Sequence, residues 1–265
     1  MKVTLLGCGG SQGVPSATGD WGACDPSNPR NWRRRPAVLV ETETAAGEAR
    51  TLLIDAPPEL REQLIHARAK RIDGVLFTHD HADHIHGIDD LRPFARFGHA
   101  PIPTFASPAV TGALRRRFGY AISKEESGPY RPILTLCDIQ DEGVVSGIPV
   151  VAFPQDHGFG PSTGFRIGNF GYSIDVVRLP DEAFRALDGI THWIVDCQQF
   201  EPHPTHSHLA QTLFWIERVR PERAVLTHLG PKLDYDKLAA LLPDGVEAGY
   251  DGLVLDISDG ERNGA

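Results

Sequence analysis

The sequence has no apolar run near the roughly 18 residues that cross a bilayer, so no transmembrane helix is predicted. Its start, Met1-Lys2-Val3-Thr4-Leu5-Leu6-Gly7, lacks a long apolar h-region and a cleavage site, and is expected to be a strand, not a signal peptide. Cysteine is scarce and scattered: Cys8, Cys24, Cys137 and Cys197 form no C-x-x-C pair. That argues for reduced thiols in a cytoplasmic protein. Positive charge is in deficit, with 26 Lys and Arg against 35 Asp and Glu and a formal charge of −9. A polyanion favours a basic surface, so nucleic acid is disfavoured as a partner. No linker-like stretch divides the 265 residues, and residues 1–265 are expected to form one domain of two similar halves. The rest of the composition is ordinary: 41% apolar residues, enough for a core, and 23% charged.

Chemistry is concentrated in Thr78-His79-Asp80-His81-Ala82-Asp83-His84-Ile85-His86-Gly87, which follows the apolar run Val75-Leu76-Phe77. That run predicts a buried strand ending where the polar residues begin. His79 and His81 alternate like an outgoing strand, so their rings can converge on one point. Asp83 and His84 follow a bend and can face a second point nearby. Nitrogen and oxygen donors suit Zn²⁺, Mn²⁺ or Fe²⁺, and this many in six residues suit two ions better than one. Solvated loop histidines explain one such residue more easily than the whole group.

The pattern around this stretch is α/β. Ala37–Val40 and Thr51–Asp55 predict strands joined by a polar hairpin, Pro57–Ala69 a helix, and Ile88–Phe97 a second helix. Farther on, apolar strands end in His157, Asp175, Asp196 and His228, with a hairpin around Gly168-Asn169 and an amphipathic helix over Leu209–Val219. Any one of these polar residues is as easily a cap; their recurrence at strand ends points to a site. The Gly-rich turn Gly7–Pro15 is followed by no helical pattern, which speaks against dinucleotide binding. Its small residues and backbone N–H groups suit a loop lying close to the metals and to an anion. Arg33-Arg34-Arg35 is expected on the surface, with a substrate contact left open.

Together His79-x-His81-x-Asp83-His84, His157, Asp175 and His228 in Leu-Thr-His resemble the metallo-β-lactamase superfamily. Within it the chain is similar to the carbon–phosphorus lyase accessory, phosphoribosyl cyclic phosphate type of phosphodiesterase. Gly9-Gly10-Ser11-x-Gly13-Val14-Pro15, Trp21-Gly22-x-Cys24-Asp25-Pro26, Asp196-Cys197, His203-Pro204-Thr205-His206 and Tyr250-Asp251-Gly252 carry that likeness. The resemblance implies an αββα four-layer sandwich and a binuclear hydrolase that cleaves small cyclic or linear phosphodiesters through a metal-bound hydroxide. It makes His79, His81 and His157 ligands of one ion and Asp83, His84 and His228 ligands of the other, with Asp175 bridging. Zn²⁺ or Mn²⁺ is expected, and Fe²⁺ fits the same donors. His206, Asp196 and Asp83 are the residues expected in the chemistry, His206 as the group that protonates the leaving alkoxide and Asp196 as its support.

The bland alternative for His203, His206 and His208 is a His-rich loop before a helix capped by Ser207. Relatives that carry an extra structural zinc use a cysteine cluster near the first loop and a histidine after the last ligand. Here only Cys24 and Pro231 stand in those places, and no such zinc is expected. A glyoxalase II-type thioesterase and an RNA-processing nuclease share the ligands and are the rival functions. The expected partner is a small-molecule phosphodiester, with no membrane and with a homodimer left open.

Overall fold

The computed structural model describes residues 1–123, 131–139 and 141–258. Its strands are β1 (Lys2–Gly7), β2 (Ala37–Glu43), β3 (Ala49–Ile54), β4 (Gly74–Leu76), β5 (Ile102–Ala106), β6 (Leu134–Asp138) and β7 (Glu142–Val145). These are followed by β8 (Ile148–Asp156), β9 (Pro161–Ile167), β10 (Phe170–Ser173), β11 (His192–Asp196), β12 (Arg223–Thr227), β13 (Val246–Ala248) and β14 (Leu253–Asp256). One seven-stranded sheet has the order β14-β1-β2-β3-β4-β5-β6, the other β13-β12-β11-β10-β9-β8-β7. Each sheet has three antiparallel pairings followed by three parallel ones. β14 comes from the far end of the chain and completes the first sheet beside β1.

The helices are α1 (Leu60–His66), α2 (Ala82–Ile85), α3 (Arg92–Phe97), α4 (Pro108–Ile122), α5 (Asp181–Ala186), α6 (Leu209–Val219) and α7 (Tyr235–Ala239). Among the described residues none is long and apolar enough to cross a membrane. Strand alternation explains the layering. Val38, Val40, Leu52 and Ile54 meet Phe165, Ile167, Ile194 and Val225 between the sheets. Their neighbours Leu39 and Leu53 point the other way, onto Leu60 and Leu64 of α1. On the far side Trp193, Val195 and Leu226 pack against Trp215 and Ile216 of α6 and Leu238 of α7. Three apolar interfaces thus separate four layers, helix, sheet, sheet, helix: the expected αββα sandwich.

One expectation shifts. The helix expected over Pro57–Ala69 is shorter, because Pro57 and Pro58 precede Glu59 at its N-cap and Arg68 turns left-handed at φ +55 to end it. Past β4, His81 is still extended at φ −70 and ψ 153 as the N-cap of α2, and the expected bend is that single helical turn, which carries Asp83 and His84.

Candidate metal centre

Every polar residue singled out at a strand end lies at the same edge of the sandwich. His79 and His81 follow β4, His157 follows β8, Asp175 lies just past β10, Asp196 ends β11 and His228 follows β12. Two donor groups form there, His79, His81, His157 and Asp175, and Asp83, His84 and His228, each with atoms within 4.8 Å of one another. Asp175 joins them. Its Oδ1 lies 3.4 Å from His157 Nε2 and 3.9 Å from His79 Nε2, while its Oδ2 lies 3.0 Å from His84 Nε2 and 3.5 Å from His228 Nε2. Asp83 Oδ2 is 3.4 Å from His84 Nε2 and 3.9 Å from His228 Nε2.

The ring nitrogens facing away from this centre are held from behind. His84 Nδ1 is 2.7 Å from Asp55 Oδ2, His157 Nδ1 is 2.7 Å from the Thr205 carbonyl, and His79 Nδ1 is 3.0 Å from Thr78 Oγ1. Such contacts fix the tautomer and turn the Nε2 lone pair inward. Asp55 itself accepts from Thr78 N–H at 2.9 Å and Thr78 O–H at 2.8 Å. Sequence reasoning passed over Asp55, although its signal is the one that singled out Asp175 and Asp196: a carboxylate ending an apolar strand.

Asp196 is fully buried behind the rings. Its Oδ1 is 3.4 Å from His228 Nδ1, and its Oδ2 accepts from Ser207 N–H at 3.0 Å and lies 3.7 Å from His206 Nδ1. His206 Nδ1 is also 3.6 Å from Asp175 Oδ1, so His206, Asp175 and His228 form a third donor grouping. Ser207 is no helix cap: α6 has His208 at its N-cap, and the Ser207 hydroxyl donates to the Asp196 carbonyl at 2.5 Å. His86 is exposed and lies edge-on to Phe118, 5.9 Å away.

The first loop departs from expectation. The amides of Gly9, Gly10 and Gly13 donate to the carbonyls of Arg34, Leu229 and Gly10, so they form no anion cradle. The loop still comes close, because a Cβ on Gly10 would stand 3.7 Å from the His228 carbonyl. Arg33 is buried, not on the surface; its guanidinium donates to the carbonyls of Leu233 at 2.7 Å and Gly230 at 3.2 Å. Arg34 pairs with Glu62 and Asp251, and Arg35 with Glu59. The Cys24 thiol donates to the carbonyls of Pro231 at 3.4 Å and Leu233 at 3.6 Å.

Residues 50–229 match the beta-lactamase superfamily domain, well over half of the chain. A crystal structure of a diphosphatase from the PhnP family superposes with a TM-score of 0.87 at 31% identity, covering 97% of this chain and 98% of that one. The chain belongs to the beta-lactamase superfamily and, within it, to the PhnP family. An octanoyltransferase of Porphyromonas gingivalis is 28% identical over 257 residues, 96% of this chain and 51% of that protein. The chain spans about half the length of the curated relatives it matches. Zn²⁺-bound PqqB from Methylobacterium extorquens shares the fold, with a TM-score of 0.73 at 17% identity over 97% of this chain and 100% of that one.

In this PhnP-family chain the electrostatics ask for cations at the edge. Burial alone would lower the His84 imidazole, but the carboxylates of Asp175, Asp55 and Asp83 outweigh it and hold the ring well above the ordinary histidine range. His228 follows the same balance, burial against Asp175 and Asp83, and rises to about 9. Asp175 is the counterpart: burial pushes it up, yet His228, His84 and His79 hold it well below the carboxylate range. His79, desolvated and beside His84, is held well below the histidine range. Among the described residues the buried Nε2 atoms of His79 and His228 have no hydrogen-bond partner, and His84 Nε2 meets only the carboxylate of Asp175, at 3.0 Å. Orphaned buried donors converging on one edge are a poor way to build a core and a good way to hold a metal, and the donor set fits a divalent ion.

Proposed function

We propose that this chain, acting as a single domain, is a hydrolase that uses two divalent ions, Zn²⁺ or Mn²⁺, to cleave small phosphodiesters. The observation that carries the proposal is Asp175, whose two oxygens each face a different histidine group at 3.0 to 3.9 Å. His79, His81 and His157 would hold one ion on the Oδ1 side, and Asp83, His84 and His228 the other on the Oδ2 side. Ions bound there supply Lewis acidity and an acidified water. Two aspartates offset only part of the charge of two divalent ions, which leaves the edge positive and attractive to a phosphodiester. The PhnP-family diphosphatase likeness supports a phosphoryl substrate over a carbonyl one.

The chain's own residues do the rest. Asp55 and the Thr205 carbonyl keep the hydrogens of His84 and His157 on Nδ1, so Nε2 stays free to ligate. His206 turns Nδ1 toward the carboxylates of Asp175 and Asp196. Nε2, the other ring nitrogen, is the one assigned to give a proton to the leaving alkoxide. Asp196 acts through His206 and His228, as a positioning residue.

The test pairs elemental analysis with a turnover screen after metal reconstitution. Close to two ions per chain and measurable hydrolysis of bis(p-nitrophenyl) phosphate or a cyclic nucleotide are expected. A kcat/KM higher for a thioester or a β-lactam than for every diester tried would overturn the substrate class.

A further inference from the structure

Arg33 is an enclosed cation, 2% exposed, and among the described residues no carboxylate pairs with it. A buried charge without a counter-ion is costly, so what the guanidinium holds instead is informative. Nη1 donates to the Gly230 carbonyl at 3.2 Å and Nη2 to the Leu233 carbonyl at 2.7 Å. Those residues are the two ends of one tight turn, in which Leu233 N–H donates to the Gly230 carbonyl at 3.1 Å. A single planar fork therefore spans the turn 230–233. Nη2 also donates to Asn31 Oδ1 at 3.2 Å, and that oxygen accepts from Tyr235 N–H at 2.8 Å, just past the turn. The base of the side chain is equally fixed. Arg33 N–H donates to the Val14 carbonyl at 2.8 Å and its carbonyl accepts from Val14 N–H at 2.9 Å. Gly9 leaves it room, since a Cβ there would stand 3.0 Å from Arg33 Cβ.

The clamped turn begins two residues after His228. His84 and His157 are held from behind by contacts of 2.7 Å, but His228 Nδ1 has only Asp196 Oδ1, 3.4 Å away and outside hydrogen-bond geometry. The aim of the His228 ring is therefore set by its backbone, which turns left-handed at φ +59 and runs straight into Leu229 and Gly230. Leu229 N–H donates to the Cys8 carbonyl at 2.7 Å and Gly230 N–H to the Gln198 carbonyl at 3.0 Å. We propose that Arg33 is a positioning residue for the ion on the Asp83, His84 and His228 side: its guanidinium locks the turn 230–233 and, through it, the backbone that aims His228. This rests on the two-ion reading and adds what fixes a ligand ring that has no close partner behind it.

Calorimetric metal titration of metal-free wild type, Arg33→Ala and Arg33→Lys, with elemental analysis of the loaded proteins, tests this. Arg33→Ala should bind one ion as the wild type does and the other about tenfold or more weakly. Guanidinium ion at about 10 mM, far below denaturing concentrations, should restore the second ion by entering the space the side chain left. Arg33→Lys should fall in between, because an ammonium cannot fork across two carbonyls, and it carries the comparison if Arg33→Ala does not fold. Leu64→Ala, which thins the apolar layer beneath α1, controls for lost stability and should keep both affinities. The proposal fails if a folded Arg33 variant binds both ions as the wild type does, if it loses both equally, or if Leu64→Ala reproduces the selective loss. Hydrogen exchange in the metal-free protein needs no ion: Arg33→Ala should exchange faster at residues 228–233, and guanidinium should slow it again. Unchanged exchange refutes the clamp. A wild type that takes up fewer than two ions, with the exchange effect intact, refutes the two-ion reading instead.

Discussion

Asp55, Asp175 and His228 each follow a strand of the site, and each has a left-handed backbone, at φ +64, +52 and +59. Such a residue turns the chain within one step, so its side chain swings from the sheet toward the edge. The conformation costs on the order of 1 kcal/mol for an L-residue, least for Asp, Asn and His, and strain of this kind gathers at functional sites. Roles at this scale are separable by mutation. Asp175→Asn should deplete both ions, because its oxygens face both histidine groups, whereas Asp83→Asn should deplete one. Elemental analysis of folded variants decides; equal depletion by the two would contradict the division. His206→Ala should keep its metal and lose about 10²-fold or more in turnover of an alkyl diester. The loss should shrink for bis(p-nitrophenyl) phosphate, whose leaving group needs little protonation. An equal loss for both leaving groups would assign His206 to binding instead.

At the scale of elements, the Gly-rich first loop is a positioning device. Asp251 accepts from Cys8 N–H at 3.0 Å and Arg34 N–H at 2.8 Å, and the Cys8 carbonyl accepts from Leu229 N–H at 2.7 Å, next to His228. Burial pushes the Asp251 carboxyl up to about 6 from 3.8, against those N–H donors. A raised folded value means the folded state holds the proton more tightly. The contribution is complete below about 3.8 and is lost as the pH rises through about 6. It is on the order of 3 kcal/mol. Urea unfolding of wild type and Asp251→Asn across pH 4 to 7 should therefore show a wild-type decline that the variant lacks. Parallel curves would remove Asp251 from the account.

Legibility from sequence follows the same division into elements. Leu209–Val219 was readable residue for residue, because Thr212, Trp215 and Ile216 make one buried face and Glu217 and Arg218 lie off it, although Phe214 is exposed. α4 was not. Its arginines interrupt the apolar stripe, and Phe118 breaks the helical geometry at φ −128. The seven metal-site candidates were legible because each ends or follows an apolar strand or crowds into one short loop. Asp55 carried the same strand-end signal as Asp175 and Asp196, and its part shows only in the contact its Oδ2 makes with His84 Nδ1. The arginine triplets Arg33-Arg34-Arg35 and Arg115-Arg116-Arg117 look alike as text, and which is buried was decided by Arg33 reaching the carbonyls of Gly230 and Leu233.

For the whole molecule, the site is a seam between the two sheets. His79 and His81 come from the first sheet's β4, while His157, Asp175 and His228 come from β8, β10 and β12 of the second. The apolar cluster between the sheets holds them together over most of their faces, but at this edge it gives way to buried histidines and carboxylates. Without cations the protons on His84 and His228 are what balance Asp175, Asp83 and Asp55. Cations would displace those protons, so metal binding should be tighter at higher pH and accompanied by proton release. They would also act as a clasp between sheets, since an ion bound only to the folded state stabilises it by mass action. At a free concentration 100 times its Kd each ion contributes about 2.7 kcal/mol. For a chain of this size that corresponds to a fall in Tm on the order of 10 °C when both are stripped. Chelation followed by calorimetry measures the fall. Hydrogen exchange should locate it, rising at residues 79–84, 156–160 and 203–208 while the β1–β3 core stays protected. A stripped protein that melts at the loaded protein's temperature would show that the two sheets close this edge without metal.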